Sequence, residues 1–320
     1  MEAMLVMPLL LAVLAAPAFS QQARAKIRIS YPNTSICCLA LFAAQQWKIF
    51  EQNGLDVESI QMRSQAANSA LASGDLHYVA GVGPNSVAAT LRGLPSKAVW
   101  FASESLIYTV LARPEFKSLK ELRGKRIGLT GLGGTSDVAL RIALEAVGEN
   151  YKNFVIVALG APQLMSGLES GTIDAAQLNS PLNYHAKKKG FRPLLEIGEY
   201  VQMPLGGLTA SNVAIQNRTS ELKRVLLSLQ TAKRTLLQSK EKSLDLIMRT
   251  IRVDREVAEE MFADNRRSAA GNGVPSRAGM EQIVKSLQML GQFTGKQIAF
   301  EEITDPRIAR EVAKELGYKE

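Results

Sequence analysis

The sequence predicts an α/β protein of two similar lobes, each built on a doubly wound, mainly parallel sheet. Three observations lead to this fold class. Short apolar segments typical of buried strands alternate with amphipathic helical segments. The pattern LASGDLH, which begins at Leu71, returns as LESGTID at Leu168. Further helical segments follow Asn217 without apolar strand segments between them.

The strands and helices of the two lobes can be placed in chain order. Strands are predicted where short apolar segments are bounded by turn residues, at Lys26–Tyr31, Leu55–Gln61, Tyr78–Val82, Ala98–Ala102, Arg126–Thr130, Phe154–Ala158, Ile173–Gln177 and Pro193–Ile197. Amphipathic helices are predicted between them, at Leu39–Gln52, Ala66–Ser73, Ser86–Arg92, Asp137–Val147 and Pro162–Ser170. Strands that alternate with helices in this way favour a parallel sheet covered on both faces.

An internal repeat relates the two lobes. Leu71 and Leu168 are separated by an offset of 97 residues, and at the same offset Pro84 meets Pro181. Upstream, the strand segment KIRIS aligns with RIGLT at an offset of 100. Repetition on this scale predicts two units of the same topology.

The last third of the chain is predicted to be helical and to wrap the first lobe. Each segment there has a polar cap residue and an apolar stripe. The predicted helices are Ser220–Ser239, Lys242–Thr250, Asp254–Ala263, Ser276–Leu290 and Asp305–Glu315.

The N-terminal segment and the composition favour an exported, globular protein. Residues 4–19 are an unbroken apolar segment, shorter than the roughly 20 residues that a membrane-spanning helix needs. The segment ends in AFSQ, which predicts a secretory signal peptide over residues 1–20, cut after Ser20, and therefore a periplasmic protein. The net charge is +8, but the basic residues are spread out, so we expect no nucleic-acid surface.

The residues offer little for catalysis. The two cysteines, Cys37 and Cys38, are adjacent, a spacing that rarely forms a disulfide and that supplies no zinc motif. The two histidines, His77 and His185, match no triad or metal-ligand pattern. We therefore expect no catalytic residue, no metal and no cofactor.

The glycine-rich turn GLTGLGGTSDVALRI does not fit the usual nucleotide motifs. A P-loop needs a lysine after its last glycine, and none follows Gly134. A dinucleotide site needs a third glycine where Ser136 stands. What remains is a helix N-terminus, capped by Thr135 or Ser136, that could receive an anion or another polar ligand atom.

The candidate binding site consists of polar turns at the carboxyl ends of the predicted strands, where ligands bind in open α/β sheets. Arg63 could pair with an anionic group, Glu104 could accept from an amino group, and Tyr108 and Tyr184 could stack on a flat ligand, or each could be a surface or packing residue. The full set of candidate ligand-binding residues is Asn33, Thr34, Ser35, Arg63, Ser64, Gln65, Gly83, Pro84, Asn85, Glu104, Gly133, Gly134, Thr135, Ser136, Asn179 and Ser180.

Four segments resemble a known family. They are FAAQQWKIFEQNGLDVE from Phe42, LASGDL from Leu71, SLKELRGKRIG from Ser118 and LESGTIDA from Leu168. The chain resembles the substrate-binding proteins of ABC importers in the nitrate, sulfonate and thiamine-precursor branch, the NMT1/THI5-like group. His77 stands where that family has Asp, and ICCL from Ile36 replaces its proline-aromatic helix start.

The resemblance implies a type II periplasmic-binding-protein fold that closes on a ligand. Lobe one is expected at residues 26–113 and 212–320, lobe two at 114–211, and the hinge at Ile107–Pro114 and Gly206–Ala214. The implied partners are a small organic ligand, anionic or heteroaromatic, and an ABC permease in the inner membrane, with the protein itself a monomer. Two alternatives stay open: an enzyme of the same fold, of the pyrimidine-precursor or menaquinone-pathway type, and a periplasmic sensor or adaptor module.

Overall fold

A computed structural model describes residues 24–319, so the predicted signal peptide lies outside the described residues. Within them, no helix is long and apolar enough to cross a membrane. The strands are β1 Ala25–Tyr31, β2 Leu55–Gln61, β3 Tyr78–Ala80, β4 Ser96–Phe101, β5 Thr109–Ala112, β6 Arg126–Leu129, β7 Val155–Ala158, β8 Ala175–Leu178, β9 Arg192–Glu196 and β10 Gly207–Ser211.

These strands form two sheets of the same topology. The first has the order β2-β1-β3-β10-β4 and the second the order β7-β6-β8-β5-β9. In the first, β1 runs parallel to β2 and β3, whereas β10 runs antiparallel to β3 and β4. In the second, β6 runs parallel to β7 and β8, whereas β5 runs antiparallel to β8 and β9. The predicted fold of two mainly parallel sheets is confirmed, and we call each sheet with its packed helices lobe one and lobe two.

The inserted antiparallel strands shift the boundary between the sheets. The sequence places residues 109–112 in lobe one and 207–211 in lobe two, yet β5 pairs within the second sheet and β10 within the first. The chain crosses between the sheets before each of these strands, through residues 102–108 and 197–206. The predicted domain limits are therefore displaced by one strand at each crossing.

The repeat extends to single hydrogen bonds. The backbone N–H of Arg28 in β1 donates to Nδ1 of His77 at 3.0 Å, and that of Arg126 in β6 donates to Oδ2 of Asp174 at 2.9 Å. His77 directly precedes β3 and Asp174 directly precedes β8, and the two acceptors are 97 residues apart. His77 therefore has the same structural task in lobe one as Asp174 in lobe two. Its ring nitrogen is used at the strand N-termini, away from the carboxyl ends where ligands bind.

The helices are α1 Leu39–Gln46, α2 Ile49–Gln52, α3 Ser64–Ser73, α4 Pro84–Leu91, α5 Thr135–Ala146, α6 Ala161–Ser170, α7 Leu182–Lys188, α8 Asn212–Asn217, α9 Thr219–Gln238, α10 Lys240–Ile251, α11 Arg255–Ser268, α12 Arg277–Met289, α13 Phe300–Ile303 and α14 Arg307–Glu315. The helix predicted at Leu39–Gln52 is broken at Lys48, whose left-handed backbone (φ 57°) separates α1 from α2. The short helices α8 and α13 lie outside the segments predicted as helical.

The C-terminal helices pack on lobe one, as the sequence predicts. Leu226 of α9, Ile247 of α10, Met261 of α11 and Val312 of α14 share one buried cluster with Ile29 of β1. On a second cluster, α12 and α13 bury residues together with α4 and β4. Because α11 belongs to the core of lobe one, any contact it makes with α7 of lobe two joins the two lobes.

Candidate functional site

The two crossover segments are bound to each other between the lobes. The N–H of Ala102 donates to the carbonyl of Gly206 at 2.9 Å. The hydroxyl of Ser103 accepts from the N–H groups of Leu205 and Gly206 at 3.2 and 3.3 Å. We call these two hydrogen-bonded crossover segments the floor between the lobes. A Cβ added to Gly206 would stand 2.5 Å from the carbonyl oxygen of Cys37, so the turn after β1 contacts this floor directly.

Two helix starts, one from each lobe, approach each other above this floor. The turn Gly83–Asn85 begins α4 of lobe one, and the turn Gly133–Thr135 begins α5 of lobe two. A Cβ on Gly83 would stand 2.9 Å from Oγ1 of Thr135, and a Cβ on Gly134 would stand 3.5 Å from Nδ2 of Asn85. The predicted glycine-rich turn and the predicted Gly-Pro-Asn turn are therefore neighbours across the lobes.

The glycine-rich turn is held by Asp137 rather than by a hydroxyl cap. The residue before α5 is Gly134, and no side chain caps this helix, so the predicted cap at Thr135 or Ser136 is wrong. The N–H of Gly133 donates to Oδ2 of Asp137 at 2.8 Å, and the buried hydroxyl of Ser136 points inward to the carbonyl of Gly131 at 3.3 Å. Asp137 is itself fixed, since it also accepts from Arg141 at 3.0 Å and from Tyr151 at 2.5 Å.

The glycine-rich turn leads into α5, whose first N–H groups are available to a ligand. The amides of Thr135 and Ser136 have no acceptor within the helix, because the first N–H groups of any helix lack one. On the opposite side, α4 begins with Pro84, which has no N–H, and the amides of Asn85 and Ser86 follow. Both helix ends carry a partial positive charge, and their first residues are neighbours across the lobes.

The turn after β8 and the helix that follows it make a buried polar contact between the lobes. Ser180 and Tyr184 of lobe two both donate hydroxyl hydrogen bonds to Oδ2 of Asp264 in α11, each at 2.7 Å. Ser180 is fully buried, and Asp264 is 2% exposed. The hydroxyl predicted to face a ligand thus serves the interface, and the tyrosine proposed to stack is hydrogen-bonded to lobe one.

The turn after β1 carries a thiol pair above the floor. The hydroxyl of Ser35 donates to Oδ1 of Asn33 at 2.6 Å and lies 3.2 Å from Sγ of Cys37, which lies 3.2 Å from Sγ of Cys38. Hydrogen bonding from the Cys38 thiol lowers the pKa of Cys37. The same contact, with burial, raises the pKa of Cys38. Burial also raises the pKa of Tyr108, whose hydroxyl senses the charge of Cys37.

A buried lysine next to the end of β4 is not predicted by the sequence. Lys233 of α9 is 2% exposed, and its Nζ donates to the carbonyl of Phe101 at 3.3 Å and to that of Ala270. The ammonium also lies 5.3 Å from the ring centroid of Trp100. Burial lowers its pKa to about 7, partly offset by the charge of Glu104. A lysine inside a strongly amphipathic 20-residue helix has the sequence signature of a surface residue, so no local pattern marks it.

Four further predicted site residues are exposed. Arg63 precedes α3, Ser64 and Gln65 begin it, and all three are exposed to solvent. The backbone N–H of Glu104 donates to the carbonyl of Ser268, while the residue itself is exposed. A ligand role for these four residues stays a prediction.

Comparisons with known proteins agree with this architecture. The model of the family described as NMT1/THI5 like matches residues 37–190. A protein of Brucella abortus, provisionally named a binding protein, is 25% identical over 230 residues, which cover 70% of each chain.

Two solved structures share nearly the whole fold. A ligand-binding component of an ABC-type import system from Staphylococcus aureus, solved with zinc bound, is 13% identical and has a TM-score of 0.77; the match covers 90% of this chain and 99% of that one. The periplasmic aliphatic sulphonate binding protein SsuA of Escherichia coli is 16% identical with a TM-score of 0.73, covering 89% and 99%. The resemblance seen in the sequence is confirmed: residues 37–190 match the model of the family described as NMT1/THI5 like, and the fold is that of the type II periplasmic binding proteins.

Proposed function

We propose that this chain is the extracytoplasmic solute-binding protein of an ABC importer, which holds a small organic anion between its lobes and delivers it to a permease. The shared fold of ABC import components supports the class of function. Export rests on the signal peptide predicted at residues 1–20. Delivery to a permease and a monomeric state follow from the family resemblance.

The observation that carries the proposal is the pair of helix starts that meet across the lobes. The first turns of α4 and α5 approach within contact distance at Gly83 and Thr135. Two positively polarised helix ends brought this close repel, and an anionic group bound by both would convert this repulsion into attraction on both sides. A carboxylate or sulfonate also accepts several N–H hydrogen bonds at once, which suits the amides of Thr135, Ser136, Asn85 and Ser86.

An enzyme of the same fold is the second candidate, and the Cys37–Cys38 pair is the observation that favours it. A half-buried thiol with a lowered pKa between the lobes could attack a substrate. The histidines add no support, because His77 is bound to the backbone of β1 and His185 lies in α7. Binding without turnover remains the better reading.

A ligand panel tests the proposal directly. We would measure the thermal unfolding midpoint of the mature protein with short alkanesulfonates, carboxylates and nitrate, each paired with a neutral analogue such as the sulfonamide or the amide, and with neutral heteroaromatic compounds. A ligand that binds only the folded state raises this midpoint. We expect anions to raise it and their neutral analogues to leave it unchanged. A response to neutral heteroaromatics alone would contradict the anionic ligand, and conversion of a bound compound, seen by mass spectrometry, would contradict a pure binding protein.

A further inference from the structure

Asp264 of lobe one is the acceptor for two hydroxyl groups of lobe two. Ser180 and Tyr184 reach the same carboxylate oxygen from the β8–α7 segment, and Arg267 of α11 binds the other oxygen at 2.5 Å. The carboxylate is almost completely buried. Hydrogen bonds to a charged group are stronger than those between neutral groups, and burial shields them from water.

The tyrosine adds an apolar contact to the same place. The ring of Tyr184 packs against the cluster that forms the core of lobe one, although α7 belongs to lobe two. Burial and the nearby charge of Asp264 raise the pKa of Tyr184, which keeps its hydroxyl protonated as a donor. Ring and hydroxyl together therefore attach α7 to lobe one.

The residues around this contact are more exposed to solvent and less tightly packed. Lys188 lies 3.4 Å from Asp254 and 2.7 Å from Glu256, but all three side chains are substantially exposed, so these ion pairs contribute little. A cavity of about 350 Å³ lies alongside, lined by Tyr184, Lys187, Lys188, Glu256, Val257 and Glu260. The Asp264 cluster is thus the firmly packed part of the α7–α11 interface.

We propose that Asp264, Ser180 and Tyr184 form a latch that holds the two lobes together and thereby sets the balance between closed and open forms. Asp264 is a positioning residue, because it fixes the Asn179–Ser180 turn beside the cleft through Ser180 rather than touching the ligand. Only the consequence for ligand affinity rests on the proposed function. The latch itself is a property of the chain without ligand.

The test is hydrogen–deuterium exchange of the ligand-free mature protein, compared between Tyr184→Phe, Ser180→Ala and wild type. Amides protected only in the closed form exchange in proportion to the population of the open form. Loss of one hydrogen bond to a charged group should speed exchange in α7 and α11 about ten- to hundredfold. Because α11 lies in lobe one and the substitutions in lobe two, acceleration in both helices reports separation of the lobes.

The matched control is Tyr151→Phe. Tyr151 also donates to a buried aspartate, Asp137, but both residues lie in lobe two, so the same substitution should speed exchange in α5 and leave α11 unchanged. If Tyr184→Phe leaves α11 exchange as in wild type, or accelerates lobe two alone, the latch is overturned. The exchange measurement needs no ligand, so its result is independent of the ligand panel. Wild-type exchange in Tyr184→Phe would overturn the latch without contradicting the proposed ligand binding.

Discussion

Gly83 of lobe one stands directly against Thr135 of lobe two: a single added methyl group at Gly83 would lie 2.9 Å from the threonine hydroxyl oxygen. The backbone of Gly83 is extended (φ 177°), a conformation that any residue can adopt, so glycine is needed here for space rather than for backbone freedom. The closest approach of the two helix starts is therefore set by these two residues.

This contact predicts a reciprocal pair of substitutions. Gly83→Ala should force the two turns apart and destabilise the closed protein by about 1–3 kcal/mol, the usual cost of an overpacked contact. In the Thr135→Ala background the same substitution should cost much less, because the opposing oxygen is gone. A double-mutant cycle by chemical denaturation measures the coupling. Equal effects of Gly83→Ala in both backgrounds would show that the turns do not meet.

The thiol pair predicts unequal reactivity. Iodoacetamide reacts with thiolate. Hydrogen bonding from Cys38 lowers the pKa of Cys37, whereas the same contact and burial raise the pKa of Cys38. Cys38 is also buried, whereas Cys37 is only partly buried. Peptide mapping by mass spectrometry should find Cys37 alkylated first near neutral pH, and more slowly in Cys38→Ala, which lacks the thiol donor. Faster alkylation of Cys38 in the folded protein would refute this arrangement.

The buried amine of Lys233 predicts a specific pH dependence of stability. Its folded pKa, lowered to about 7, lies below the unfolded value near 10.4, so the unfolded chain binds more protons between these values. Stability should therefore rise with pH across this window, by at most about 1.4 kcal/mol per pH unit from this one group.

Comparison with Lys233→Met isolates the lysine from all other titrating groups. Denaturation midpoints of both proteins from pH 7 to 9 should diverge, with only the wild type gaining the extra slope. The carbonyls of Phe101 and Ala270 lose their donor in the variant, which shifts its whole curve without changing its slope. Parallel curves would mean that Lys233 stays fully protonated in the fold.

The sequence predicts the repeated parts of the fold because their signals are local. Leu71 and Leu168 open matching segments that end in Gly74 and Gly171, each in a left-handed conformation (φ 83° and 75°) that closes its helix. Such signals depend on a few neighbouring residues. They locate the strands that surround each of these helices and the polar turns that follow them.

What the sequence misses depends on contacts between distant segments. β5 and β10 are short, and their place in the sheets is set by antiparallel pairing after the chain has crossed between the lobes. Asp264 lies 80 residues from Tyr184 in the chain, and nothing around it distinguishes it from other acidic residues of its helix. Gly133 is a predicted ligand-binding residue, but its N–H already donates to Asp137, which a turn pattern alone does not reveal.

The central claim is that a ligand lies between the starts of α4 and α5, and Gly134→Val tests it. Gly134 has an ordinary extended backbone (φ −97°), so valine causes no backbone strain, unlike substitution of Gly133 (φ 72°). Its methyl groups would occupy the space beside Asn85, which a Cβ at this position would approach to 3.5 Å. Gly131→Val is the matched control, because a Cβ there meets no atom within 4 Å.

The decisive measurement is the calorimetric affinity of the best anion from the ligand panel for Gly134→Val, Gly131→Val and wild type, with folding of each checked by thermal unfolding. We predict that Gly134→Val folds and binds at least about tenfold more weakly, a loss of about 1.4 kcal/mol, while Gly131→Val keeps wild-type affinity. Wild-type affinity in folded Gly134→Val would contradict a ligand between these two helix starts.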